Sequence, residues 1–114
     1  MAVDCHIHMA LDGGYWKDAL ARHKEAPDEQ FIRKTLETYK SLGFTYLRDG
    51  GDRWDAGKRA SELAPKYGIR YRTPIFPIYR KGHYGSFIGR GFETLDDFRA
   101  LISEVKVRGG HFIK

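Results

Sequence analysis

Apolar and polar positions change period several times along this chain, and each change marks a new element. Val3–Ile7 is a short apolar-rich run with β character, followed by a loop bearing glycine and aromatic residues at Asp12-Gly13-Gly14-Tyr15-Trp16. From Asp28 to Leu42 the apolar residues Phe31, Ile32, Leu36, Tyr39 and Leu42 recur at helical spacing, and Gly43 stands where a C-terminal cap belongs. Phe44–Leu47 predicts a second strand, stopped by Asp49-Gly50-Gly51. A second helix is predicted from about Asp55 to Tyr67, with Ala56, Ala60, Leu63 and Ala64 on one side and Gly68 as its stop. Pro65 removes a donor there and should loosen the last turn. Ile69–Phe76 predicts a third strand, ended by Pro77, and a long loop with four glycines covers Ile78–Phe92. Thr94-Leu95-Asp96-Asp97 resembles a capping box with Asp in place of Glu. It opens an apolar stripe of Leu95, Phe98, Leu101, Ile102 and Val105, which ends at Gly109-Gly110. His111-Phe112-Ile113-Lys114 then starts a fourth strand.

The predicted order is β-α-β-α-β-α-β, and strands joined by helical crossovers imply a parallel sheet. A closed barrel of eight such units needs ~250 residues, and this chain has 114. The expected fold is therefore α/β, the first half (four β/α units) of a TIM-type (β/α)8 barrel. Residues 1–114 would be one domain, incomplete at its C-terminus. Such a half leaves two sheet edges unpaired and should need further polypeptide, or a partner half, to be stable and active.

Composition narrows the class. Hydrophobic residues make up 41% and charged residues 31%, a globular balance rather than a disordered one. No apolar run is long enough to cross a bilayer, and Met1–His6 lacks the basic and apolar regions of a secretory signal. With the single Cys5 unable to form an internal disulfide, a cytoplasmic protein without a membrane partner is expected. The formal charge is +5, but acidic residues are interspersed with the basic ones almost throughout, which disfavours nucleic acid as a partner. The exception is Arg80–Arg90, where Arg80, Lys81, His83 and Arg90 occur with no acid, a local patch suited to an anionic small molecule.

The chemistry concentrates in Asp4-Cys5-His6-Ile7-His8. Side chains alternate across a strand, so His6 and His8 should project to one face while Cys5, as a small buried apolar residue, points to the other. Two imidazoles on a stiff strand make a divalent-metal site, with Zn²⁺ favoured by nitrogen ligands. Two histidines two apart by chance at a strand end are the plain alternative. Lys114 follows a short apolar strand, where burial would lower its pKa; a neutral amine can take up carbon dioxide as a carbamate able to bridge two metals. An ordinary lysine reaching back to solvent is the alternative there. Arg48 and Asp49 suggest an ion pair bracing a strand end. Arg80, Lys81, His83 and Tyr84 lie in the third βα loop as candidate substrate contacts, unless that loop is only a glycine-rich surface segment.

Taken together, DCHIH, TYLRDGG and GGHFIK resemble the amidohydrolase superfamily over the whole chain. The resemblance implies a metal-dependent hydrolase that activates water on one or two divalent ions to cleave an amide or related C–N or C–O bond in a small molecule. It implies His6 and His8 as ligands and Lys114 as a carbamylated bridge. The family's later histidines and its general-base aspartate would fall in the C-terminal half, outside these residues. Two other readings compete: a non-catalytic, flavodoxin-like α/β domain binding a small ligand, and nucleic-acid binding through residues 79–92. A phosphate-binding fold would place its glycine turn right after the first strand, and Gly13-Gly14 comes too late for that. Whether the protein forms a homo-oligomer is left open by the sequence.

Overall fold

In the computed structural model, which describes every residue from Met1 to Lys114, the first strand β1 (Ala2–Ile7) pairs in parallel with β2 (Phe44–Asp49), and β2 pairs in parallel with β3 (Arg70–Arg72). The sheet order is β1-β2-β3, so sequence neighbours are spatial neighbours. The crossovers are α2 (Glu29–Ser41) and α3 (Ala56–Leu63), with a short helix α1 (Trp16–Ala21) ahead of α2. A 3₁₀ turn over Ala64–Tyr67 carries Pro65 in its first turn, so α3 gives way to it at the point where the proline removes a donor. Two further strands, β4 (Ile78–Arg80) and β5 (Arg90–Phe92), form a separate parallel pair, and α4 (Leu95–Val107) follows. The chain is thus a mixed α/β domain built on parallel pairing.

The helix limits follow from caps. Asp28 accepts a hydrogen bond from the Phe31 backbone N–H at 3.1 Å and opens α2. Thr94 and Asp97 complete a reciprocal capping box at α4. Substituting Thr94→Ala should cost about 1 kcal/mol of stability, measured as a lower denaturant midpoint at unchanged slope.

Two apolar clusters hold the layers together. Ile32 and Leu36 of α2, Ala60 and Leu63 of α3, and Ile7, Leu47 and Tyr71 of the sheet form the larger one. Leu101 and Val105 of α4 pack on Ile75 and Phe76 in the smaller one. Ile7 and Leu47 therefore face the helices, and the opposite face of the sheet is bare of them.

Three expectations need correction. The third strand is three residues long rather than eight, because Pro74 cannot donate and Ile75 has φ +68°. That left-handed conformation is strained for a β-branched residue and breaks the extended run. His111–Lys114 forms no ladder. It lies against the segment after β3 through two backbone bonds, His111 N–H to Thr73 O at 2.8 Å and Ile78 N–H to Lys114 O at 2.7 Å. The region read as one long loop contains β4 and β5, joined by a turn over Lys81–Gly89.

Candidate metal centre

The site stands where β1, β2 and the C-terminal segment meet. β1 has an irregular register between Asp4 and Ile7, so two residues, Cys5 and His6, lie between positions that both face the helices. This slip corrects the strict alternation expected for Cys5: it is exposed and lines the same hollow as His6. The His6 and His8 ring centroids are 5.3 Å apart. Lys114 Nζ lies 2.9 Å from His6 Nε2. The three sequence-chosen residues thus come together, although they span 108 positions of the chain.

Gly50 makes the close approach feasible. A Cβ there would run into the His8 ring and Lys114 Nζ, so only glycine fits. Gly51 O lies 3.0 Å from His8 Nδ1. With the proton on Nδ1, that carbonyl accepts it and the Nε2 lone pair is left free, the arrangement in which imidazoles bind metals. Burial pushes the His8 pKa below its ordinary value; the Gly51 bond opposes this, and the charges of Lys114 and His6 add to it. His8 is therefore neutral and ready to donate at neutral pH. Burial also lowers the Lys114 pKa; Asp49 opposes that shift and Arg48 adds to it.

Arg48 and Asp49 do not brace one another. Neighbouring strand residues face opposite ways, and Arg48 stacks over the Phe112 ring at 4.2 Å while Asp49 turns to the helix side. Asp49 is 1% exposed and accepts from Thr73 Oγ1 at 2.9 Å and the Met9 backbone N–H at 3.3 Å. Burial pushes its pKa up to about 7, and the neighbouring Asp52 carboxylate adds to the shift. Asp52 is fully buried too, with its oxygens on the backbone N–H groups of Trp54, Ala56 and Gly57. This pair of carboxyls was missed as a unit. The signal for it was present, because Asp49 shares a strand face with Leu47.

A hollow of about 460 Å³ on the α2 side is lined by Asp4, His6, His8, Asp12, Phe31 and Tyr39, among others. Two more adjoin the histidines. One of about 210 Å³ is lined by Cys5, His6, Arg48, Asp49, Phe112 and Lys114, among others. The other, about 390 Å³, is bounded by His6, His8 and Lys114 on one side and by Pro77, Ile78, Tyr84, Phe87 and Ile88 on the other. Of the four expected substrate contacts, Tyr84 lines this cleft. Arg80, Lys81 and His83 are exposed on β4 and its turn and do not reach it. The expected basic patch is also weakened at Arg90, which pairs with Glu104 at 2.5 Å.

The donor set suits a metal that takes nitrogen, but it is small. No group of three or more His, Cys, Asp or Glu side chains is placed to hold an ion, so the candidate ligands are two imidazoles and one amine. No helix is long and apolar enough to cross a membrane. Comparison with protein-family models, with curated proteins and with solved structures gives no match to this chain.

Proposed function

We propose that this chain is part of a metal-dependent hydrolase of the amidohydrolase type, acting on an amide or related bond in a small molecule. The observation that carries the reading is the convergence of His6, His8 and Lys114 from opposite ends of the chain onto one glycine-floored cleft. The parallel β/α order is that of the first units of a (β/α)8 barrel, and the site lies at the C-terminal ends of β1 and β2, where such barrels place their chemistry. His6, His8 and a carbamylated Lys114 would hold the ion, with Zn²⁺ the expected choice and one or two ions bound. The ion supplies Lewis acidity and lowers the pKa of water toward neutrality.

The chain's own residues have defined tasks. Burial keeps His8 neutral, and the Gly51 carbonyl holds the proton on Nδ1 so that Nε2 is free to donate its lone pair. Burial lowers the Lys114 pKa, so its ammonium gives up a proton more readily than an exposed lysine does and makes the neutral amine accessible. Its nitrogen lone pair attacks the carbon of carbon dioxide, an N–C bond forms, and one C=O pair moves onto oxygen. The proton released from nitrogen passes by way of His6 Nε2, 2.9 Å away, to water, which returns His6 to the neutral form a ligand requires. The apolar wall of Ile78, Phe87 and Ile88 excludes water and packs the substrate, and Tyr84 closes its rim. The proton acceptor for the hydrolytic step would come from outside these residues.

The test is mass spectrometry under native conditions on protein equilibrated with bicarbonate, with and without Zn²⁺. Wild-type chain should gain the mass of one carbon dioxide, and the gain should vanish in Lys114→Gln. An unmodified wild-type chain that binds no zinc would overturn the reading in favour of a non-catalytic α/β binding domain.

A further inference from the structure

Arg53 ties the loop after β2 to the β4–β5 turn: its backbone N–H donates to Ile88 O at 3.0 Å and its Nη1 donates to Ser86 O at 3.0 Å. Between that loop, the turn and α1 lies a hollow of about 290 Å³ that is lined by no residue of either sheet. Its walls are aromatic. Trp16 meets Phe87 edge to face with ring centroids 5.6 Å apart, and the Arg53 guanidinium stacks over the Trp54 ring at 4.6 Å. Trp16 is nonetheless 41% exposed, a large apolar surface left in water. Phe87 also lines the cleft bounded by His6, His8 and Lys114, and Tyr84 stands 5.4 Å from it there. Tyr84, Phe87 and Trp16 therefore form one aromatic row from the candidate metal ligands to this hollow.

The hollow is also basic. Lys17, Lys24 and Arg53 line it, and no Asp or Glu does. None of the three has a carboxylate within salt-bridge distance. Arg33 and Arg59 show what an arginine does where a carboxylate is at hand: each turns its Nε and Nη2 onto Glu29. In Arg53 that same edge is left over, while Ser86 O and the Trp54 ring hold the group in place. A guanidinium anchored with its fork free suits a carboxylate, whose two oxygens match it. Packing of Trp16 on Phe87 accounts for the aromatic row but not for uncompensated cations at its end.

We infer that this hollow is the subsite for a carboxylate of the substrate, which makes the substrate class an aryl amide carrying its carboxylate at the end remote from the scissile bond. Which end is cleaved rests on the proposed hydrolase. The amide lies against His6, His8 and Lys114, the aromatic body runs along Phe87 and Trp16, and the carboxylate meets Arg53 with Lys17 and Lys24 beside it. Stacking the ring there also takes the exposed Trp16 surface out of water. The sequence directs an anion to Arg80, Lys81 and His83; the structure offers it Lys17, Lys24 and Arg53 instead. Single-stranded nucleic acid also stacks on aromatics beside cations, but it needs a basic groove that follows its backbone. Here the cations gather round one hollow.

The probe is para-acetamidobenzoate, added to the full metal-free chain and followed by tryptophan fluorescence, since both tryptophans of the chain line the hollow. The signal should change saturably, and the uncharged para-acetamidobenzamide should bind at least about tenfold more weakly, because it forgoes hydrogen bonds between charged groups. Arg53→Gln should weaken the carboxylate by a similar factor and leave the affinity for the uncharged amide unchanged. Lys17→Gln/Lys24→Gln alters only exposed side chains; it should lower the carboxylate affinity and flatten its salt dependence. If Arg53→Gln does not fold by circular dichroism, the lysine pair decides. Equal affinity for the charged and uncharged probes, carboxylate binding untouched by the lysine pair, no saturable signal, or displacement of the probe by a thymidine oligomer would each overturn the inference. Zinc uptake without probe binding overturns this subsite and leaves the hydrolase reading standing. Carboxylate-selective binding by a chain that takes up no zinc supports the subsite and removes the hydrolase.

Discussion

Replacing His6 and His8 together with alanine should abolish zinc binding. Both rings are needed because the donor set has only two imidazoles and an amine; with both removed, Lys114 alone cannot retain an ion. Affinity should fall by more than about a thousandfold, since losing even a supporting partner of a metal ligand typically costs ~10–100-fold. The readout is metal content per chain after chelation and reloading, with a thermal melt alongside. A ligand at one hundred times its dissociation constant stabilises the folded state by about 2.7 kcal/mol. Zinc should therefore raise the wild-type melting temperature and leave that of the double variant unchanged. Stoichiometric zinc in the double variant would remove His6 and His8 from the site.

The second large effect concerns Asp49. Its pKa is raised from an ordinary 3.8 to about 7 by burial and by Asp52, so folding tightens its hold on a proton. Its contribution is therefore most favourable at low pH. It is lost as pH climbs from about 4 to about 7, and above that the ionised buried group costs on the order of 4 kcal/mol. His8 and His23 act in the opposite sense. Burial lowers both, so their folded forms resist protonation and lose stability as pH falls. Substituting Asp49→Asn separates the two effects. Its amide oxygen can accept from the Met9 N–H and its amino group can donate to Thr73 Oγ1 in the same pocket. In metal-free protein, the variant should gain several kcal/mol on wild type between pH 4 and pH 8, measured by urea unfolding. A stability difference that stays flat with pH would show that Asp49 titrates normally.

Much of this structure is legible in the sequence, and the departures have local causes. The helices at 29–41 and 95–107 announce themselves through apolar spacing and through Asp28 and Thr94 as caps. The helix Trp16–Ala21 is six residues long and its cap position, Tyr15, makes no side-chain bond, so little marks it. The strands Ile78–Arg80 and Arg90–Phe92 are too short to show a period of two. Ile75 in a left-handed conformation could not be anticipated, since it is held by tertiary bonds: its N–H to Thr73 Oγ1 and its carbonyl from the Asp52 N–H. At the candidate site, the spacing of His6 and His8 was sufficient to expect their rings side by side at one strand end, where their centroids lie 5.3 Å apart. The placement of Cys5 was not, because one irregular step in the register reverses which way a strand residue points. Arg80, Lys81 and His83 were chosen for their charge, and charge alone does not tell which side of a turn faces a cleft.

The attachment of the C-terminal segment sets an order of events. β1, β2 and β3 join neighbours in sequence, each pair bridged by a helix, so the sheet can assemble progressively as the chain is synthesised. His111–Lys114 lies outside any ladder and is held by two backbone bonds, the Arg48–Phe112 stack and the His111 ring, whose Nδ1 accepts from the Thr73 N–H at 3.1 Å. A segment so lightly attached opens more readily than the ladder it rests on, and it exchanges its amide hydrogens at a lower free energy than the sheet does. Lys114 thus enters and leaves its place beside His6 without global unfolding. Whatever binds there acts as a clasp between this segment and β1, and its affinity includes the work of closing it.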